Sequence, residues 1–219
     1  MVRAAACFLA ISLAAFSLGQ GIGPLPYLQA TDSPWAAMFG DPNFFLEDFE
    51  DGSLNVLGVS GNGSVVGPGG LTDSVDGDDG LINGSGSGGR SYFFGSGATG
   101  VTFTFSQASL GFLPQRAGVV WTDGAGDVTF EAFDGSGVSL GILNGSHADG
   151  GFSGSTGEDR FYGWEHLGGI GSIKMRNTSG GIEVDHLQYG AVPEPGTMAI
   201  LGFGGLAVLL RRRAKKKQI

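Results

Sequence analysis

The chain has 219 residues, 43 of them glycine, with a formal net charge of −9 and only 15% charged residues. Its single cysteine, Cys7, lies in an N-terminal apolar stretch, so disulfide scaffolds, thiol catalysis and cysteine–metal sites are excluded for everything after it. Arg3 and six C-terminal cations take most of the positive charge, leaving five Lys and Arg against all twenty-one acidic residues between positions 20 and 196, a net charge of −16 that argues against nucleic acid and anionic lipid as partners and for cations and neutral or polar ligands.

In chain order, Arg3 precedes an apolar run from Ala4 to Leu18 that leaves through Ser17-Leu18-Gly19. Residues 1–19 read as a secretory signal peptide, used by the Sec translocon and cut by signal peptidase after Gly19; an uncleaved anchor is the alternative. Residues 20–42, with Pro24, Pro26 and Pro34, read as a leader segment to which no order is assigned.

Residues 43–190 read as one all-β domain. Val101-Thr102-Phe103-Thr104-Phe105 alternates strictly, and Asp127–Phe133, Ile170–Met175 and Ile182–Tyr189 nearly so; Ala117–Trp121 is a compact apolar run that predicts a buried Trp121. Asp123-Gly124, Asp134-Gly135, Asn144-Gly145 and Gly180-Gly181 are turn signals between them. Short strands at this spacing predict an antiparallel β-sandwich of the jelly-roll, lectin-like kind. The Gly/Ser/Asp-rich stretch from Val59 to Gly100 predicts a long surface loop, and four Asn-x-Ser/Thr triplets, at Asn62, Asn83, Asn144 and Asn177, read as turn chemistry.

Two acidic clusters offer hard oxygen ligands: Glu47-Asp48-Phe49-Glu50-Asp51 and the run containing Asp73, Asp76, Asp78 and Asp79. Closely spaced carboxylates among glycines suit Ca²⁺, although the second run lacks the twelfth-position Glu of an EF-hand loop. A solvated polar turn is the competing reading. Phe161-Tyr162-Gly163-Trp164-Glu165-His166 is the best candidate for exposed aromatics, with Tyr162 and Trp164 available to stack on sugar rings. Catalysis has little support. His147, His166 and His186 sit in no metal-binding pattern, no Gly-x-Ser-x-Gly elbow stands in a strand–turn–helix setting, and Glu131 and Glu183 read more simply as strand carboxylates than as a glycosidase pair. No enzyme is expected.

The opening Phe49-Glu50 and closing Ile182-Glu183-Val184-Asp185 resemble the paired termini of jelly-roll carbohydrate-binding modules. That resemblance implies first and last strands side by side, with Glu50 and Asp185 holding a structural Ca²⁺.

Residues 192–219 form a tail in three parts. Val192, Pro193, Glu194, Pro195, Gly196 and Thr197 open it: the prolines hold this strip extended, and Thr197 is a candidate N-cap for a helix over 197–210. The apolar run from Met198 to Leu210 spans about 20 Å at 1.5 Å per residue, short of a bilayer core of about 30 Å. Arg211, Arg212, Arg213, Lys215, Lys216 and Lys217 follow as a basic membrane stop whose stems can snorkel. A Pro-Glu-Pro triplet, a short membrane helix and a basic stop, in that order, resemble the PEP-CTERM sorting signal of bacterial exported proteins. The resemblance implies an exosortase-type membrane protease as partner and passage through the inner membrane to the cell surface or beyond. It further implies a non-enzymatic role tied to exopolysaccharide or biofilm; a calcium-stabilised carbohydrate-binding module is the alternative, and a secreted polysaccharide hydrolase a more distant one.

Overall fold

The structure, a computed structural model, describes residues 19–75, 89–151 and 156–192. The signal peptide up to Leu18, Asp76, Asp78, Asp79 and Asn83, and the tail from Pro193 onward lie outside the described residues. Among those described, no helix is long and apolar enough to cross a membrane.

The described residues form ten antiparallel strands: β1 (Gln20–Pro26), β2 (Phe44–Glu47), β3 (Val59–Gly61), β4 (Ser64–Val66), β5 (Ser91–Phe94), β6 (Val101–Phe105), β7 (Arg116–Phe133), β8 (Ser139–Gly145), β9 (Arg160–Glu165) and β10 (Ser172–Gly190). One four-residue helix, α1 (Gln107–Leu110), is capped by the Ser106 side chain. The two long strands, β7 and β10, pair along their whole length and belong to two layers at once. In one layer the order is β3, β6, the first half of β10, the second half of β7, then β8. In the other, β2 and β5 flank the second half of β10, followed by the first half of β7, β9 and β1.

The layers face each other across an aromatic core. Val101, Phe103 and Phe105 point inward from β6, as period-two alternation requires. Phe130 of the first layer stacks on Tyr162 of the second with centroids 6.2 Å apart, and Phe105 meets Tyr189 at 4.8 Å. Trp121 is fully buried, as its apolar run predicted. The predicted antiparallel all-β sandwich is the observed architecture, and β2 lies beside β10 as the resemblance implied.

Three expectations meet a different outcome. Asp123-Gly124 and Gly180-Gly181 are not turns between strands; β7 and β10 run through them. Both strands kink together there, because Gly124, Gly126 and Gly180 take positive φ values and the register slips on both sides of Ser179. Buried Asn177 holds the kink, its side-chain amide donating to the carbonyls of Ala125, Ser179 and Gly181. The 59–100 stretch, read as a loop, contributes β3, β4 and β5. Of residues 20–42, to which no order was assigned, Gln20–Pro26 form edge strand β1 of the second layer, and Tyr27, Trp35, Met38 and Phe39 pack on its outer face.

That packing is specific. Tyr27, Trp35, Phe44 and Val75 cover Val120 and Phe161, which point away from the main core. Trp35 donates its ring N–H to Glu165 Oε1 at 2.9 Å, and the Tyr27 hydroxyl meets His186 Nδ1 at 2.9 Å and accepts from Gln188 Nε2 at 3.0 Å. Trp35 is only 2% exposed. Replacing it by alanine should cost about 3–5 kcal/mol of stability, read as a lower urea midpoint for the full chain; a loss within error would show that the leader is not part of the cooperative unit.

Candidate functional site

The acidic side chains divide by what they accept. Glu47, at the end of β2, takes the backbone N–H groups of Phe49, Asn55 and Val56 at 3.0–3.2 Å. It thereby holds Phe49 at a positive φ, with its ring stacked on Tyr92 in the core. Asp48 and Asp51 close short turns on Glu50 and Ser53. The first acidic cluster therefore shapes a loop.

Glu50 and Asp185, the pair implied to hold calcium, have separate partners. Glu50 is exposed and accepts the Arg90 backbone N–H. Asp185 is fully buried on β10; its Oδ2 takes Ser74 Oγ at 3.1 Å and Val75 N at 2.9 Å, and its Oδ1 takes the backbone N–H of His186. These bonds fasten residues 74–75 over β10. Among the described residues, no group of three or more His, Cys, Asp or Glu is arranged to hold a metal ion.

Tyr162 and Trp164 require a correction. They are 0% and 7% exposed, both in the main core. Both rings point from β9 into the space between the layers, where Phe130 stacks on Tyr162, so neither presents a face to a sugar. The Tyr162 hydroxyl instead meets His147 Nε2 at 2.7 Å. Glu131, on β7, pairs with Arg176 at 3.2 Å as an ordinary cross-strand ion pair.

A cleft of about 440 Å³ opens where β7 and β10 kink. Phe93, Glu183 and Asp123 lie in one row across it, since Glu183 is the register partner of Phe93 on β5 and of Asp123 on β7. Direct cross-strand neighbours sit about 4.5–5.5 Å apart at Cβ, so an aromatic ring and two carboxyls share one small face. The ring of Phe93 lies close over Gly181, where a Cβ would come within 2.6 Å of it. Leu71, Val66 and Ile182 complete an apolar wall. Sequence reading missed this site because Phe93 falls in a stretch dominated by glycine and serine. The run Ser91-Tyr92-Phe93-Phe94 was its one available signal.

The two carboxyls differ in their hydrogen bonds. Glu183 Oε2 accepts the Asp73 backbone N–H at 2.8 Å and Ser91 Oγ at 3.0 Å. Asp123 is 7% exposed; its carboxyl is met by the Gly124 backbone N–H, while its Oδ1 is buried with no hydrogen-bond partner. Burial pushes Asp123 up to about 6, with the Asp149 charge adding to it. Burial likewise pushes Glu183 up to about 7, and the Asp123 charge adds to that. Beside the cleft, Glu158 is raised to about 7, mainly by burial and further by Asp149 and Asp123; burial and Arg160 lower His147 to about 4.

These shifts fix the direction of pH dependence. Asp123, Glu158 and Glu183 keep their protons to higher pH when folded, so their stabilisation is present below about pH 4 and is lost as pH rises toward 7. His147 acts oppositely between about pH 4 and 6.5, but one group opposes three. The full chain should therefore melt at a higher temperature at pH 5 than at pH 8, and the double variant Asp123→Asn/Glu183→Gln should flatten that slope. A melting temperature that rises between pH 5 and pH 8 would contradict the assignment.

Comparison with known proteins adds two findings. No curated protein matches the chain. Among solved structures, the fold is similar to the C-terminal family 22 carbohydrate binding module of Clostridium thermocellum Xyn10B, at 14% identity and a TM-score of 0.36, over 71% of this chain and 97% of that one. Residues 191–213 match the PEP-CTERM protein-sorting motif, so the chain carries the signal of an exported, membrane-transiting protein destined for exosortase processing.

Proposed function

We propose that this chain is a non-enzymatic exported protein whose tail delivers a β-sandwich to the cell surface or extracellular matrix, where the kink cleft binds carbohydrate of the exopolysaccharide. The sorting motif at 191–213 supports the destination. The observation that carries the binding reading is the row Phe93–Glu183–Asp123: an aromatic ring beside two hydrogen-bond acceptors suits a pyranose, which offers an apolar face and a rim of hydroxyl donors. A cleft of about 440 Å³ has room for a short saccharide rather than a long polymer segment. A hydrolase is the second reading, favoured only by the adjacent carboxyls Asp123 and Glu183.

Pull-down of the full chain on extracted extracellular polysaccharide tests this reading. Phe93→Ala should reduce retention about tenfold with little change in melting temperature, because Phe93 lies only half-buried at the cleft; retention unchanged by that variant would remove the cleft from the account. Release of reducing sugar that is abolished by Glu183→Gln would replace binding by hydrolysis.

Sorting has its own test in the native host. The mature species should end near Pro195 by mass and fractionate outside the inner membrane. A full-length species held permanently in the inner membrane would contradict the proposed destination.

A further inference from the structure

The cleft's charge is one-sided. Its described lining contains Asp123 and Glu183 and no Lys, Arg or His. Asp149 lies near enough to raise Asp123 and Glu158, and Arg160 is the one cation that acts on this group among the described residues. A neutral hydroxyl would satisfy the buried, unpartnered Asp123 Oδ1 as a donor but would leave the carboxylate repulsion in place. A protonated amine satisfies both requirements, because it donates and carries the missing positive charge.

A divalent cation could also supply charge, but Ca²⁺ needs six to eight oxygen ligands. The wall here is formed by Phe93, Leu71, Val66, Ile182 and bare glycine backbone, with two carboxyls. One Glu183 oxygen is already occupied by Asp73 N–H and Ser91 Oγ. Such a wall suits a ring-sized organic body bearing one cationic head.

We propose that the cleft selects amino sugars: the pyranose lies against Phe93, and its protonated primary amine is held between Asp123 and Glu183. This rests on the carbohydrate-binding reading and narrows it to polysaccharides containing unacetylated amino sugars. Asp123 is the residue that sets specificity, through the oxygen left without a partner in the fold.

Titration calorimetry on the full chain, in a detergent that carries no sugar, tests it with the glucosamine disaccharide chitobiose and its N,N′-diacetyl counterpart at near-neutral pH. Chitobiose should bind at least about tenfold more tightly. Asp123→Asn should erase that preference, whereas Phe93→Ala should weaken both sugars together. The exposed-site variant Asp48→Asn should leave the preference intact; its loss there would mean diffuse attraction to an acidic surface, and the proposal would fall. Equal binding of the two sugars would leave carbohydrate binding standing and overturn amine selection, while no binding of either would overturn both. An Asp123-dependent heat with CaCl₂ alone that displaces chitobiose would assign the site to a cation instead.

Discussion

The molecule depends on β7 and β10 kinking at the same place. Two eighteen- to nineteen-residue strands that stayed straight would give one broad sheet with an uncovered aromatic face. By bending together at Gly124–Gly126 and Ser179–Gly181 they fold the sheet onto itself, so that Phe130 reaches Tyr162 and Phe105 reaches Tyr189. The kink strips local backbone carbonyls of ladder partners. Asn177 answers three of them with a single amide, which is why a polar side chain stands buried in an otherwise apolar row. The cleft is the outer consequence of the same bend. Its glycines leave the backbone bare, and Phe93 settles over one of them.

Acidity has a structural use that composition alone conceals. With few cations available, Glu47, Glu183 and Asp185 serve as acceptors for backbone N–H groups in segments that lack ladder partners. Each fastens a loop to the sheet, and desolvation raises Glu183 as a result. Asp123 differs, since the fold buries it without giving its Oδ1 a donor. A buried acceptor left open costs stability, and this one borders the cleft.

What was legible in the sequence follows from how local each signal is. β6 could be read outright, because strict alternation with buried Val101, Phe103 and Phe105 is a property of five consecutive residues. The β-sandwich class followed from many such fragments. β7 and β10 were read as broken at their glycines because a glycine pair ordinarily ends a strand; only the matching kink in the partner keeps each continuous. Tyr162 and Trp164 were misplaced for a related reason. Gly163, Glu165 and His166 resemble an exposed strand edge, and the cover that buries the two rings comes from the facing layer, where Phe130 stacks on Tyr162 and Gly141 lies against Trp164. The row Phe93–Glu183–Asp123 joins three distant strands, so no reading along the chain could assemble it.

The join between domain and tail shows how the two functions coexist. The last described residues are tied into the sandwich: Gly190 pairs with Phe44 and Arg116, the Ala191 N–H reaches Asn43, and the Val192 N–H reaches Gln115. The sorting motif begins at residue 191, so signal and fold overlap by two residues. Both are bound through their backbone, and neither contributes a side chain to either hydrophobic cluster. Processing at or beyond Pro193 leaves both clusters of described residues whole. The paired ends of β2 and β10 thus hold the first two residues of the sorting motif against the domain, so the motif is anchored at its start by backbone bonds alone.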